Sequence, residues 1–181
     1  ASQVIVAIGA LERPVPIPGW TLPGVMSVGA AQTLLKSSGL VPQGDVWIAG
    51  SGPLVWLFAA QLVAAGVRPA GLLDTARSSA KWSALAHAGG AWAGRALVRR
   101  GLADRKAVIA AGVRIVGDVE EVEALGDVRV ARVRYRANGE QREAPAGGLL
   151  LHEGVIPNAH MAMSCGVVHD WDGQQRCYRP R

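Results

Sequence analysis

The chain has 181 residues, half of them hydrophobic and 18% charged, which suits one compact domain with a sizeable core. Its net charge of +5 is scattered arginine with no interleaved aromatics to stack bases, which argues against a nucleic-acid partner. No signal-peptide pattern and no run of about 18 apolar residues occurs, so a cytoplasmic protein without a membrane span is expected.

Gln3–Ile8 reads as an apolar strand ending at Gly9-Ala10. The Pro- and Gly-rich stretch from Leu11 to Val25 reads as an extended connector, because each proline biases its predecessor away from helix. Ser27–Ser38 is a helix candidate with an apolar stripe at Val28, Ala31, Leu34 and Leu35, ending near Gly39. Val41 to Asp45 is a turn into the stretch around which the chain is organised. Val46–Ala49 is a short apolar strand, followed at once by Gly50-Ser51-Gly52. Pro53 to Gly66 is helix-like, with one polar side chain, Gln61. A helix apolar all round must be covered on both sides, so this one is a core helix or packs on a further domain. Ala70–Leu73 is a second strand, closed by Asp74.

This strand, turn, helix, strand and acid form the first half of a dinucleotide-binding βαβ unit. Gly50 lets the chain turn off the strand. Gly52 lacks a Cβ, so a pyrophosphate can approach the backbone. Pro53 suits the first helical turn, where free N–H groups and the helix dipole favour phosphate charge. Asp74 follows Gly50 by 24 residues, close to the spacing of about 20 expected for a ribose-binding acid. The third fingerprint position is Val55, whose bulk would hold helix and strand apart and weaken or alter binding. The alternative is a parallel βαβ whose glycines only make a tight turn.

Thr75 to Ser79 reads as a polar loop. Lys81–His87 and Ala91–Arg100 read as helical, broken at Gly89-Gly90, and Asp104–Ala111 continues as helix with Gly112 as C-cap. Val113–Val116 is a third short strand. Val119–Glu123 and Val128–Arg136 make an antiparallel pair, and Asn138-Gly139 is a hairpin signal. Arg132, Arg134 and Arg136 share one face there, read as the solvated face of an edge hairpin. Gly148–Leu151 is a further apolar strand, and Ala159–Arg181 reads as polar and irregular. Cys165 and Cys177 form no CxxC and share no ligand spacing with histidine, so they read as ordinary thiols in a reducing compartment. His87, His160 and His169 show no ligand spacing either. His152-Glu153 could form a general acid–base pair or a structural hydrogen-bonding pair.

Five motifs together resemble one family. They are Val6-Ala7-Ile8-Gly9-Ala10, Arg13-Pro14 with Pro18-Gly19, Leu22-Pro23-Gly24-Val25, Ala49-Gly50-Ser51-Gly52-Pro53-Leu54, and the run from Leu149 through His152-Glu153-Gly154-Val155-Ile156-Pro157 to Asn158. The chain resembles FAD-dependent oxidoreductases with two dinucleotide domains, and is most similar to the large flavoprotein subunit of opine oxidases, hydrogen cyanide synthase and amino-acid dehydrogenases. Ile8 departs from the threonine usual in the first motif.

The resemblance implies an α/β fold: a Rossmann-like FAD/NAD(P)-binding domain with a small parallel sheet, helices and an antiparallel meander. It implies an internal piece of a longer chain. Residues 1–42 would be a flanking strand and connector from the flavin domain, 43–154 the NAD(P)-binding-like domain, and 155–181 the return toward the flavin domain. Cofactor contacts would fall on Gly50, Ser51, Gly52, Pro53, Leu54, Asp74 and Gly154, with no complete active site in these residues. NAD(P) is expected in this domain and FAD in the full-length protein. Asp74 favours NAD over NADP, while Arg77 nearby offers a partner for a 2′-phosphate. Expected partners are a second oxidoreductase subunit, the remaining flavin domain and a small-molecule amine, opine or amino-acid derivative. The rival reading is a non-catalytic structural or subunit-interface domain, its nucleotide site vestigial or filled by another adenine nucleotide such as ATP. A stand-alone short-chain NAD enzyme is disfavoured, because no Tyr-x-x-x-Lys motif occurs.

Overall fold

A computed structural model describes residues 3–77 and 95–181. The helix expected over Lys81–His87, the break at Gly89-Gly90 and His87 itself lie outside the described residues. The chain divides into a larger unit, Val15–Glu153, and a smaller one made from Ala1–Pro14 and Gly154–Arg181.

The larger unit is built on a five-stranded parallel sheet. Its strands are β2 (Val25–Ser27), β3 (Val46–Gly50), β4 (Gly71–Asp74), β5 (Arg114–Val116) and β9 (Gly148–His152), in the order β2-β9-β3-β4-β5. Every residue of β3, β4 and β9 is buried, as their nearly continuous apolar sequences require of strands covered on both faces.

Alternate side chains of these strands enter two separate cores. Val46, Ile48, Leu72 and Leu150 face the helices, meeting Val28, Ala31, Val55, Phe58, Leu62 and Val108. Trp47, Ala49, Leu73, Leu149 and Leu151 face a three-stranded antiparallel meander and meet its Val133, Tyr135, Ala137 and Ala144. The meander strands are β6 (Val119–Leu125), β7 (Arg132–Ala137) and β8 (Glu140–Pro145). Trp47 ties the two sheets: its indole N–H donates to the Pro145 carbonyl at 2.9 Å, and its ring lies 5.9 Å from that of Tyr135. Asn138 and Gly139 turn β7 into β8 with φ of 52° and 76°, the positive pair a tight hairpin needs.

The helices are α1 (Val28–Ser38), α2 (Pro53–Ala64) and α3 (Arg95–Ala110). Ser27 caps α1 by accepting from the Ala30 N–H at 3.2 Å, and Gly39 ends it at φ 64°. α2 is apolar all round because it lies between neighbours. α1 reaches it through the Gln32–Gln61 hydrogen bond at 2.8 Å, and from α3 Arg105 lies 5.1 Å over the Trp56 ring. That resolves the expectation of a helix covered on both sides. α3 runs unbroken from Arg95 to Ala110, in keeping with the reading of Asp104–Ala111 as a continuation of the helix before it, and Gly101 lies half-buried inside it with nothing within 4 Å of a Cβ.

Three further expectations are corrected. Residues 3–9 form no strand; Val4 and Ile5 are exposed, and no described residue offers them a ladder. The Pro-rich connector instead carries β1 (Ala10–Glu12) at its start and leads into β2, with turns between. The arginines lie on β7, the central strand of the meander rather than an edge, and form a charge ladder. Arg134 meets Glu123 at 2.9 Å and Glu143 at 2.7 Å; Arg132 also meets Glu143, and Arg136 meets Glu121.

The smaller unit pairs β1 antiparallel with β10 (Val155–Pro157). The segment expected to be irregular holds a short helix α4 (His160–Ser164) and a hairpin of β11 (His169–Asp172) with β12 (Cys177–Pro180). Its turn is stabilised by the Asp172 carboxylate, which accepts from the Gln174 and Gln175 N–H groups, a capping pattern invisible to hydrophobic periodicity. Trp171 and Tyr178 pack edge to face at 5.1 Å. The Arg13 guanidinium donates to the Gln175 and Arg176 carbonyls. Cys165 is exposed and Cys177 buried, both as free thiols.

Candidate functional site

In the larger unit β3 lies between β4 and β9. The chain leaves β3 through α2 to β4 on one side, and fills the other side last, with β9. The carboxyl ends of β3 and β9 therefore flank a topological switch point, where open α/β sheets bind ligands. The turn Gly50-Ser51-Gly52 sits there, at the start of α2.

Its two glycines serve different needs. Gly50 has φ 148°, and a Cβ there would lie 1.8 Å from the carbonyl oxygen of His152 on β9. Absence of the side chain lets the two strand ends close up, and the Ser51 N–H donates to that same carbonyl at 3.0 Å. Gly52 caps α2 at φ 91° and ψ 178°, a region essentially confined to glycine, and a Cβ there would meet nothing within 4 Å. The space over Gly52 is open, and Pro53 follows as the first helical residue. A phosphate could reach the backbone N–H groups there without displacing protein atoms. Leu54 packs at the margin of the helix-side core, and Val55 is fully inside it, 1% exposed. The bulk at the third fingerprint position thus fills space between helix and sheet instead of projecting into the turn.

Asp74 ends β4, paired in register with Gly50. It is 8% exposed, and its Oδ1 accepts from the Ala76 N–H at 3.0 Å, which shapes the loop after the strand. Arg77 is exposed. Gly154 belongs to the smaller unit, at φ 91° with open space around a Cβ, and its carbonyl accepts from the Arg13 N–H at 2.9 Å.

Sequence reasoning missed one arrangement. The Glu153 carboxylate accepts from the Ser51 hydroxyl at 2.8 Å and from the Thr75 hydroxyl at 2.5 Å. Three residues that directly follow β3, β4 and β9 are thereby joined at the carboxyl edge of the sheet. The available signal was that each is a hydrogen-bonding side chain immediately beyond an apolar strand. Glu153 is thus engaged by two hydroxyls, while His152 is buried as the last residue of β9. His160 is exposed, and His169 bonds the Val167 carbonyl through Nδ1. Among the described residues no group of histidine, cysteine or acidic side chains could hold a metal ion, and no helix is long and apolar enough to cross a membrane.

The opine oxidase A subunit of Agrobacterium tumefaciens is 39% identical over 179 residues, covering 99% of the chain and 35% of that protein. The chain is a homologue of that subunit. Hydrogen cyanide synthase subunit HcnB of Pseudomonas aeruginosa is 34% identical over 97% of the chain and 39% of its own length. The chain therefore spans about a third of the curated relatives it matches. No family model matches.

Among solved structures, a ferredoxin reductase from Rhodopseudomonas palustris aligns with a TM-score of 0.55 at 23% identity, over 90% of the chain and 37% of that protein. Thioredoxin reductase of T. acidophilum aligns with a TM-score of 0.56 at 14% identity, over 94% of the chain and 53% of that protein. The fold is the Rossmann-type α/β arrangement of FAD/NAD(P) oxidoreductases, as the resemblance implied.

Proposed function

We propose that this chain is the NAD(P)-binding-like domain of an FAD-dependent oxidoreductase that oxidises an amine, opine or amino-acid derivative. The observation that carries the reading is the open turn over Gly52, placed at a helix start and at the switch point of a parallel sheet. In this reading the diphosphate of a dinucleotide lies against the turn Gly50 to Leu54 and takes its hydrogen bonds from the Gly52 and Leu54 N–H groups, since Pro53 has none and that of Ser51 is held by the His152 carbonyl. The adenosine ribose is held by Asp74, which favours NAD over NADP. The relatives named as subunits support partnership with a second oxidoreductase subunit, and the family resemblance implies FAD on the remaining chain. A nicotinamide would supply or receive a hydride when bound; the residues of the larger unit bind and orient the dinucleotide that carries it.

Calorimetric titration of the full-length protein with NADH, NADPH and ATP tests the reading. Binding of NADH in the micromolar range, lost in Gly52→Asp, is expected, because the new carboxylate fills the open space and repels phosphate. Absence of binding below millimolar for all three ligands overturns it.

A further inference from the structure

The crevice at the end of β3 contains a charge that a phosphate-binding turn does not need. Glu153 is fixed there by two hydroxyl donors, one of them Ser51, the middle residue of the turn itself. Both hydroxyls donate to the carboxylate, so Glu153 is held in place beside the turn. The described residues contribute no arginine or lysine hydrogen bond to this carboxylate. The turn therefore offers an incoming anion the N–H groups and dipole of α2 and, from the adjoining strand end, a fixed negative charge.

Resting on the nucleotide reading above, we propose that Glu153 is a specificity-determining residue: its carboxylate, held by Ser51 and Thr75 where β3, β4 and β9 end, weakens diphosphate binding on the glycine turn relative to the nucleoside portion of the ligand. The Ser51 hydroxyl is committed to Glu153 and is withheld from phosphate. A ligand arriving with neutral hydrogen-bond donors, such as a ribose diol, meets a ready acceptor in Glu153. One arriving with bare phosphate oxygens meets a like charge. The site accordingly discriminates by the charge of the group placed over the turn, in addition to the hydroxyl contact assigned to Asp74.

The test compares ADP-ribose and adenosine as calorimetric probes of the full-length protein. Glu153→Gln keeps the shape and one acceptor oxygen but removes the charge. It is expected to raise the ratio of ADP-ribose to adenosine affinity about tenfold at low salt, with the gain shrinking at high ionic strength as screening sets in. Thr75→Val loosens the carboxylate but leaves its charge, and is expected to move the ratio by less than about threefold. If Glu153→Gln leaves the ratio unchanged or lowers it while ADP-ribose still binds, the gate is refuted and the nucleotide site stands. An equal gain in Thr75→Val points to the strand-end contacts and also refutes the gate. Failure of ADP-ribose to bind wild type and both variants overturns gate and site together.

Discussion

Gly50 and Gly52 are two residues apart and look equivalent in the sequence, yet substitutions at them should fail differently. Alanine at Gly50 drives a Cβ to within 1.8 Å of the His152 carbonyl oxygen, and strand ends locked in a parallel ladder cannot easily retreat. A loss on the order of 3–5 kcal/mol is expected, read as a lower urea midpoint. Alanine at Gly52 meets open space and suffers backbone strain alone, of about 1–3 kcal/mol. The ordering of the two midpoints checks this; a Gly52→Ala midpoint below that of Gly50→Ala would refute it. The fingerprint was legible because glycines beside an apolar strand have few other uses. The reason for Gly50 was not, since it depends on β9, about a hundred residues away in sequence. Glu153 was hidden for the same reason: its two hydroxyl partners come from other strand ends.

At the scale of elements, the central β3–α2–β4 unit was readable from apolar runs and punctuation. The meander was readable as a hairpin, but the place of β7 was not. A strand alternating arginine with apolar residues looks like an edge until its second partner supplies opposing charges. In the folded chain, hydrogen bonding from Arg134 holds the Glu143 carboxyl below its ordinary value, against a smaller opposing effect of desolvation. A carboxylate with a lowered folded pKa contributes stability above its unfolded value, and that contribution is lost as pH falls through the folded one. Wild type should therefore exceed Glu143→Gln in denaturant midpoint at neutral pH, and the gap should close below the ordinary carboxylate range. The gap should be small and salt-sensitive, because these side chains are about a third exposed. A gap constant from neutral to acid pH would show that the ladder's charge contributes nothing.

Across the whole molecule, the sheet of the larger unit is covered by helices on one face and by the meander on the other, so its two cores share strands but no side chains. The binary pattern anticipated buried strands; it could not say which residue served which face until the meander was placed. The chain enters the larger unit after Pro14 and leaves it at Glu153. On the smaller unit's side of that crossing, Arg13 and Gly154 are hydrogen-bonded neighbours, so the entire larger unit is an excursion from one point.

That adjacency has a consequence for the order of folding. β1 and β10 can pair only after everything between them has drawn its ends together, and closing so long an unstructured loop is entropically costly. A larger unit already folded supplies the closure in advance. In pulse-labelled hydrogen exchange during refolding, amides of β3 and β9 should gain protection before those of β1 and β10. Protection of β1 and β10 first would reverse the sequence of events. Under this order the β1–β10 ladder is the late structure, its two strands kept as strangers until the inserted body introduces them.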